Sequence, residues 1–168
     1  MREVALALLL VALTATGAIA DDQKPKCDLN DSATVGQVKT DFAAAVPNER
    51  PLLAAIPATC TIPNRLQYRE EEETDTALAA CNAAFKAWTD RYPTTNKPRR
   101  QLDDCMLALL YEHVVYIMGG SSFRANCKYV LLDPSRKVQG ACNTLERDLQ
   151  SHADTANTTA AALTKVLQ

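Results

Sequence analysis

CMLALLYEHVVYIM, residues 105–118, is the most apolar run downstream of the N-terminal leader, and its reading decides the fold. It is too short, and too polar at Glu112 and His113, for a membrane helix, which needs roughly 20 apolar residues. As a helix it places Leu102, Met106, Leu109, Tyr116 and Ile117 on one side and Leu107, Leu110, Val114 and Met118 on another. A helix that is apolar around most of its circumference is a central helix covered by others. Gly119 and Gly120 predict its end, and residues 121–137 an irregular or short helical connection that carries Cys127.

The flanking sequence has the same period. A first helix is expected from Ser32 or Ala33 to Val46, stopped by Pro47. PNERPLLAAIPATCTIP then reads as a proline-broken connector with one short turn around Leu52–Ile56. A second helix begins between Asn64 and Thr76 and ends near Tyr92, with Leu78, Cys81, Phe85, Trp88 and Tyr92 at helical intervals. The acidic run at Arg69–Thr76 suits the positive end of its dipole. Consecutive side chains diverge and no DxDxDG loop is present, so the run does not read as a calcium site. Pro98 suits the first turn of the third helix, where Arg99 and Arg100 stand four residues before Asp103 and Asp104 and can pair on the surface. A fourth helix runs from about Val138 to Leu167, keeping Val138, Cys142, Leu145, Leu149, His152, Ala156, Leu163 and Val166 on one stripe. The fold class is therefore all-α: a disulfide-stapled bundle of four main helices, up-and-down or irregular.

The chain opens with Arg2, an apolar stretch from Val4 to Leu13 and small residues at Ala18 and Ala20, the pattern of a signal peptide over residues 1–20. Residues 21–168 are expected to form a single six-cysteine domain. Without the leader's Arg2 and Glu3, 17 basic face 19 acidic side chains, a net charge of −2. That balance argues against nucleic-acid binding and electrostatic membrane binding. Cys27, Cys60, Cys81, Cys105, Cys127 and Cys142 are an even set behind a leader, which predicts three disulfides in an extracellular protein. Successive cysteines enclose 32, 20, 23, 21 and 14 residues, so no CxxC metal knuckle exists and no metal or cofactor is expected. Alternating helix directions would bring Cys27 to Cys105, and Cys60 to Cys127 or Cys142.

Catalysis finds no support in this pattern. Cys105 and His113 are eight residues apart, about 12 Å along a helix, too far for proton transfer. The residue after His113 is Val114, where secreted phospholipases A2 carry aspartate. Insect odorant-binding proteins crowd their second and third cysteines and elicitins their third and fourth; here those pairs enclose 20 and 23 residues. Both histidines fall on apolar stripes, where one or both could line a cavity and change its polarity between about pH 5 and 8. With the third helix ending at Gly119, His113 and His152 are expected at different levels of the bundle.

The expected function is a secreted, non-enzymatic protein that carries or sequesters a small hydrophobic ligand in an interhelical pocket. Its lining would draw on Phe85, Trp88, Met106, Leu109, His113, Tyr116, Leu149 and His152. The alternative is a secreted effector or immune-modulating protein acting through protein–protein contacts, for which a solid core with an exposed apolar patch is diagnostic. Two sequons, Asn30-Asp31-Ser32 and Asn157-Thr158-Thr159, are candidate glycosylation sites in a eukaryotic secretory pathway, Asn30 the better placed.

Overall fold

The structure, a computed structural model, describes residues 26–62, 71–93, 99–127 and 136–168. The leader, residues 1–20, lies outside them, as do Arg69 and Glu70 of the acidic run and Pro98. The described chain is all-helical: α1 (Ser32–Ala44), α2 (Arg50–Thr59), α3 (Glu71–Arg91), α4 (Gln101–Cys127) and α5 (Arg136–Leu167).

The starts of α1, α2 and α4 have local causes. Asp31 caps α1, its carboxylate accepting the amide protons of Ala33 at 3.3 Å and Thr34 at 2.9 Å. Arg50 closes the other end of α1: its guanidinium donates to the carbonyls of Ala45, at 3.0 Å, and Ala43, which have no partner within the helix. The segment from Arg50 to Thr59 is a ten-residue helix and not a connector with a single turn. Pro51 sits in its first turn, where a missing N–H costs nothing. Pro57 deletes one bond, to the Leu53 carbonyl, but is buried together with Leu53 and Ile56, and that packing holds the helix. At the start of α4, Asp103 Oδ2 accepts the Arg100 amide at 3.3 Å and Asp41 of α1 takes the Leu102 amide at 3.1 Å.

α4 does not end at the glycine pair but continues to Cys127. Glycine inside a helix costs roughly 1 kcal/mol. The compensation is contact: a Cβ on Gly119 would lie 2.5 Å from Leu149 Cδ2, so the missing side chain lets α5 close on α4. α5 meets it with the buried small residues Ala153, Ala156 and Ala160 between Leu149 and Leu163. The two helices run antiparallel. Cys127 bonds Cys142, Gly119 faces Leu149 and Glu112 meets His152, so one number rises as the other falls.

This antiparallel pair is the frame on which the shorter helices pack: α1 against α4 and α5, α2 against α3, α4 and α5. One continuous core results, with Trp88, Leu53, Ile56, Leu102, Met106, Leu109, Leu149 and Leu163 fully buried. Three disulfides staple it: Cys27–Cys105, as the helix directions suggest, Cys60–Cys81 and Cys127–Cys142. The expectation that Cys60 joins Cys127 or Cys142 is overturned. Because α2 is a helix packed on α3, its C-cap Cys60 arrives beside Cys81 in the middle of α3.

Candidate functional site

Glu112 and His113 are consecutive on α4, so their side chains leave the helix about 100° apart. His113 is fully buried, and its Nε2 lies 2.8 Å from the Cys60 carbonyl. A carbonyl only accepts, so Nε2 carries the proton and Nδ1 is bare, with no hydrogen-bond partner among the described residues. Burial pushes the His113 pKa below the ordinary histidine value, against the opposing pull of the Cys60 carbonyl. Glu112, also buried, points instead to α5, where His152 Nδ1 donates to its Oε2 at 2.5 Å.

The two histidines therefore stand within about one helical turn of each other along the bundle, closer than the sequence expectation placed them. His113 is 14 residues before Cys127 and His152 ten after Cys142, about 21 and 15 Å from that disulfide, because α4 runs on past Gly120. They still do not converge, since one faces α2 and the other the partly exposed edge of α5. Cys60, Cys81 and His113 hold their ligand-type atoms within 4.8 Å of one another. The two sulfurs are bonded together, and a half-cystine has no thiolate to offer a metal. Cys105, bonded to Cys27, is likewise no nucleophile.

Of the residues expected to line a ligand pocket, Phe85, Trp88, Met106, Leu109, Tyr116 and Leu149 belong to one buried core cluster. Phe85 and Trp88 meet edge to face with ring centres 6.3 Å apart. A polar network missed in the sequence anchors this region. Trp88 Nε1 donates to Glu49 Oε1 at 3.0 Å, and Arg100 bridges Glu49 and Asp103, 2.7 Å from each. Arg100 pairs with Asp103, not Asp104, because it precedes the first helical residue and the four-residue spacing does not apply to it. Only Arg99–Asp104 is left for the surface, at 3.2 Å. The signal available for this network was weak: a glutamate between Asn48 and Arg50 in a short segment bounded by Pro47 and Pro51.

Two surface features remain. A cleft of about 560 Å³ lies between residues 27–30 and the exposed side of α5, with Asp28, Asn30, Arg147, Ser151, Asp154 and Thr155 in its walls. None of the eight expected pocket residues lines it. The second feature is the outward face of α4. Leu107, Tyr111, Val114, Val115 and Met118 share one helical face, each partly exposed, with Met118 the most so at 43%. None of the five belongs to the core cluster or packs against it among the described residues. The expectation that other helices cover this side holds only in part: Leu110 packs against the core, while Leu107, Val114 and Met118 stay partly exposed and α4 turns its opposite face, with Leu102, Cys105, Leu109, Glu112 and Tyr116, to the other described helices.

No family model matches the chain, and comparison with curated proteins and with solved structures likewise gives no match. Function must be read from the geometry itself. Inside, the carboxylates are engaged with Arg100, Trp88, His152 or backbone and His113 with the Cys60 carbonyl, an arrangement that stabilises a fold. Outside stands an apolar stripe about 16 Å long on a helix, from Leu107 to Met118.

Proposed function

We propose that this chain is a secreted, non-catalytic protein that acts on another protein through the outward face of α4. The observation that carries this reading is the stripe Leu107, Tyr111, Val114, Val115 and Met118, which stands outside the core while the inward face of the same helix is packed. Apolar side chains repeated along one exposed helix face are what a partner's groove or helix covers. Three disulfides, and no helix among the described residues long and apolar enough to cross a membrane, are compatible with an extracellular setting. Six of the eight side chains on which the carrier reading draws, all but His113 and His152, belong to the core cluster.

A photo-crosslinking amino acid at Leu107 or Val114 tests the proposal in the fluid into which the chain is secreted. Adducts are expected from both positions and none from Thr155 on α5, and Met118→Lys should abolish them without lowering thermal stability. Absence of adducts, together with displacement of a bound fluorescent fatty acid, would reject the surface reading in favour of the carrier.

A further inference from the structure

The two sequons are chemically alike, but the fold treats them differently. Asn157 lies on α5, partly buried, and its amide is committed: Oδ1 accepts the Ile62 amide proton at 2.7 Å and Nδ2 donates to the Ile62 carbonyl at 2.9 Å. This two-way bond ties the chain leaving α2 to the middle of α5, across 95 residues of sequence. A sugar on Nδ2 would occupy the space held by the Ile62 backbone, so a chain modified there could not complete this junction. Asn30 is the opposite case. It is exposed in the turn before α1; its backbone amide bonds Asp28 Oδ1 at 3.0 Å, while nothing among the described residues bonds its side-chain amide. Asp31 caps the helix and Ser32 is exposed, so the whole triplet is presented at the surface.

Asn30 also stands in the wall of the 560 Å³ cleft, a volume within the roughly 300–1,000 Å³ of small-molecule sites. The facing wall carries the hydroxyls of Ser151, Thr155 and Thr158 and the Asp154 carboxylate, one oxygen of which accepts from Gln150 Nε2 at 3.0 Å. Hydroxyl, amide and carboxylate groups are the donors and acceptors that match sugar hydroxyls and an N-acetyl group.

We propose that Asn30 is an N-glycosylation site, that Asn157 is unmodified in the folded protein, and that the first sugars on Asn30 rest in the cleft against α5. The inference rests on passage through a eukaryotic secretory pathway, not on the α4 contact. The donor is an oligosaccharide carried on a lipid pyrophosphate. Asn30 Nδ2 forms a bond to the anomeric carbon and loses a proton, while the bond from that carbon to pyrophosphate oxygen breaks and the lipid pyrophosphate leaves with the electron pair. The result is a polar cleft filled by the chain's own glycan, on a different element from the outward face of α4, which the sugar leaves open.

The test is expression of the full chain with its leader in insect cells, with Ser32→Ala and Thr159→Ala to disable each sequon separately. One glycan is expected on the secreted wild type and on Thr159→Ala, and none on Ser32→Ala. A glycan that persists in Ser32→Ala or disappears in Thr159→Ala overturns the assignment, as does a secreted wild type without sugar. A chain that is not secreted at all would instead overturn the secretory reading beneath it. Enzymatic release by an amidase that cuts at Asn should be at least about ten-fold slower on native protein than after denaturation, and Ser151→Trp, which narrows the cleft, should speed native release about ten-fold. Equal release from native and denatured wild type would show that the sugars do not sit in the cleft.

Discussion

The imidazole of His113 donates from Nε2 to the Cys60 carbonyl, 2.8 Å away, and so joins the centre of α4 to the end of α2 beside the Cys60–Cys81 disulfide. Because Nδ1 has no hydrogen-bond partner among the described residues and the ring is buried, a second proton would put an uncompensated charge into the core. The folded pKa is depressed below the value of about 6.5 that the unfolded chain has. Above that value both states hold a neutral ring and its contribution to stability is complete. As pH falls below it, the unfolded chain takes up a proton that the folded chain refuses, and stability declines. The urea midpoint should therefore drop between pH 7.5 and 5. His113→Gln keeps a donor near Cys60 without a titrating ring and is expected to show a shallower drop; parallel slopes would contradict the assignment.

Glycine substitutions should separate by location. Among the described residues, no other part of the chain lies within 4 Å of a Cβ added to Gly36 on α1 or Gly140 on α5, so Gly36→Ala and Gly140→Ala are each expected to stabilise by about 0.5–1 kcal/mol. Gly119→Ala gains the same propensity but drives its methyl into the buried Leu149, and overpacking of this kind typically costs about 1–3 kcal/mol. Denaturant titration should find it neutral to destabilised in the wild-type background and better tolerated with Leu149→Ala. Stabilisation by Gly119→Ala equal to that at Gly36 would mean that α4 and α5 are not in close contact there.

The disulfides should contribute unequally. They close loops of 78, 21 and 15 residues, for which chain entropy alone gives about 4.5, 3.3 and 3 kcal/mol. Replacing Cys27 and Cys105 together by alanine is expected to lower stability most, and replacing Cys127 and Cys142 least. In partial reduction with alkylation, Cys60–Cys81, with both half-cystines fully buried, should be labelled last. Early labelling of Cys60 would contradict the placement of α2 against α3.

Much of this architecture was legible because a helix records itself within a few residues. The stripe Leu78, Cys81, Phe85, Trp88 carries over into the buried face of α3, and the stripe from Cys142 to Leu163 into that of α5. What proved illegible required partners remote in sequence. Pro57 and Gly119 both disfavour helix locally, and both are helical because burial against another helix outweighs a cost of about 1–3 kcal/mol. Glu49 reads as a loop carboxylate until Trp88 and Arg100, 39 and 51 residues away, close around it.

By itself the sequence determined an all-α chain with α4 at its centre and the cysteine supply for three cross-links, since these follow from composition and short-range period. Only the tertiary structure decided that Cys60 meets Cys81, that Asn157 is spent on Ile62 while Asn30 stays open, and which face of α4 looks outward. Each of these is a pairing across the chain, and a period of 3.6 residues marks which faces are apolar without saying what will cover them.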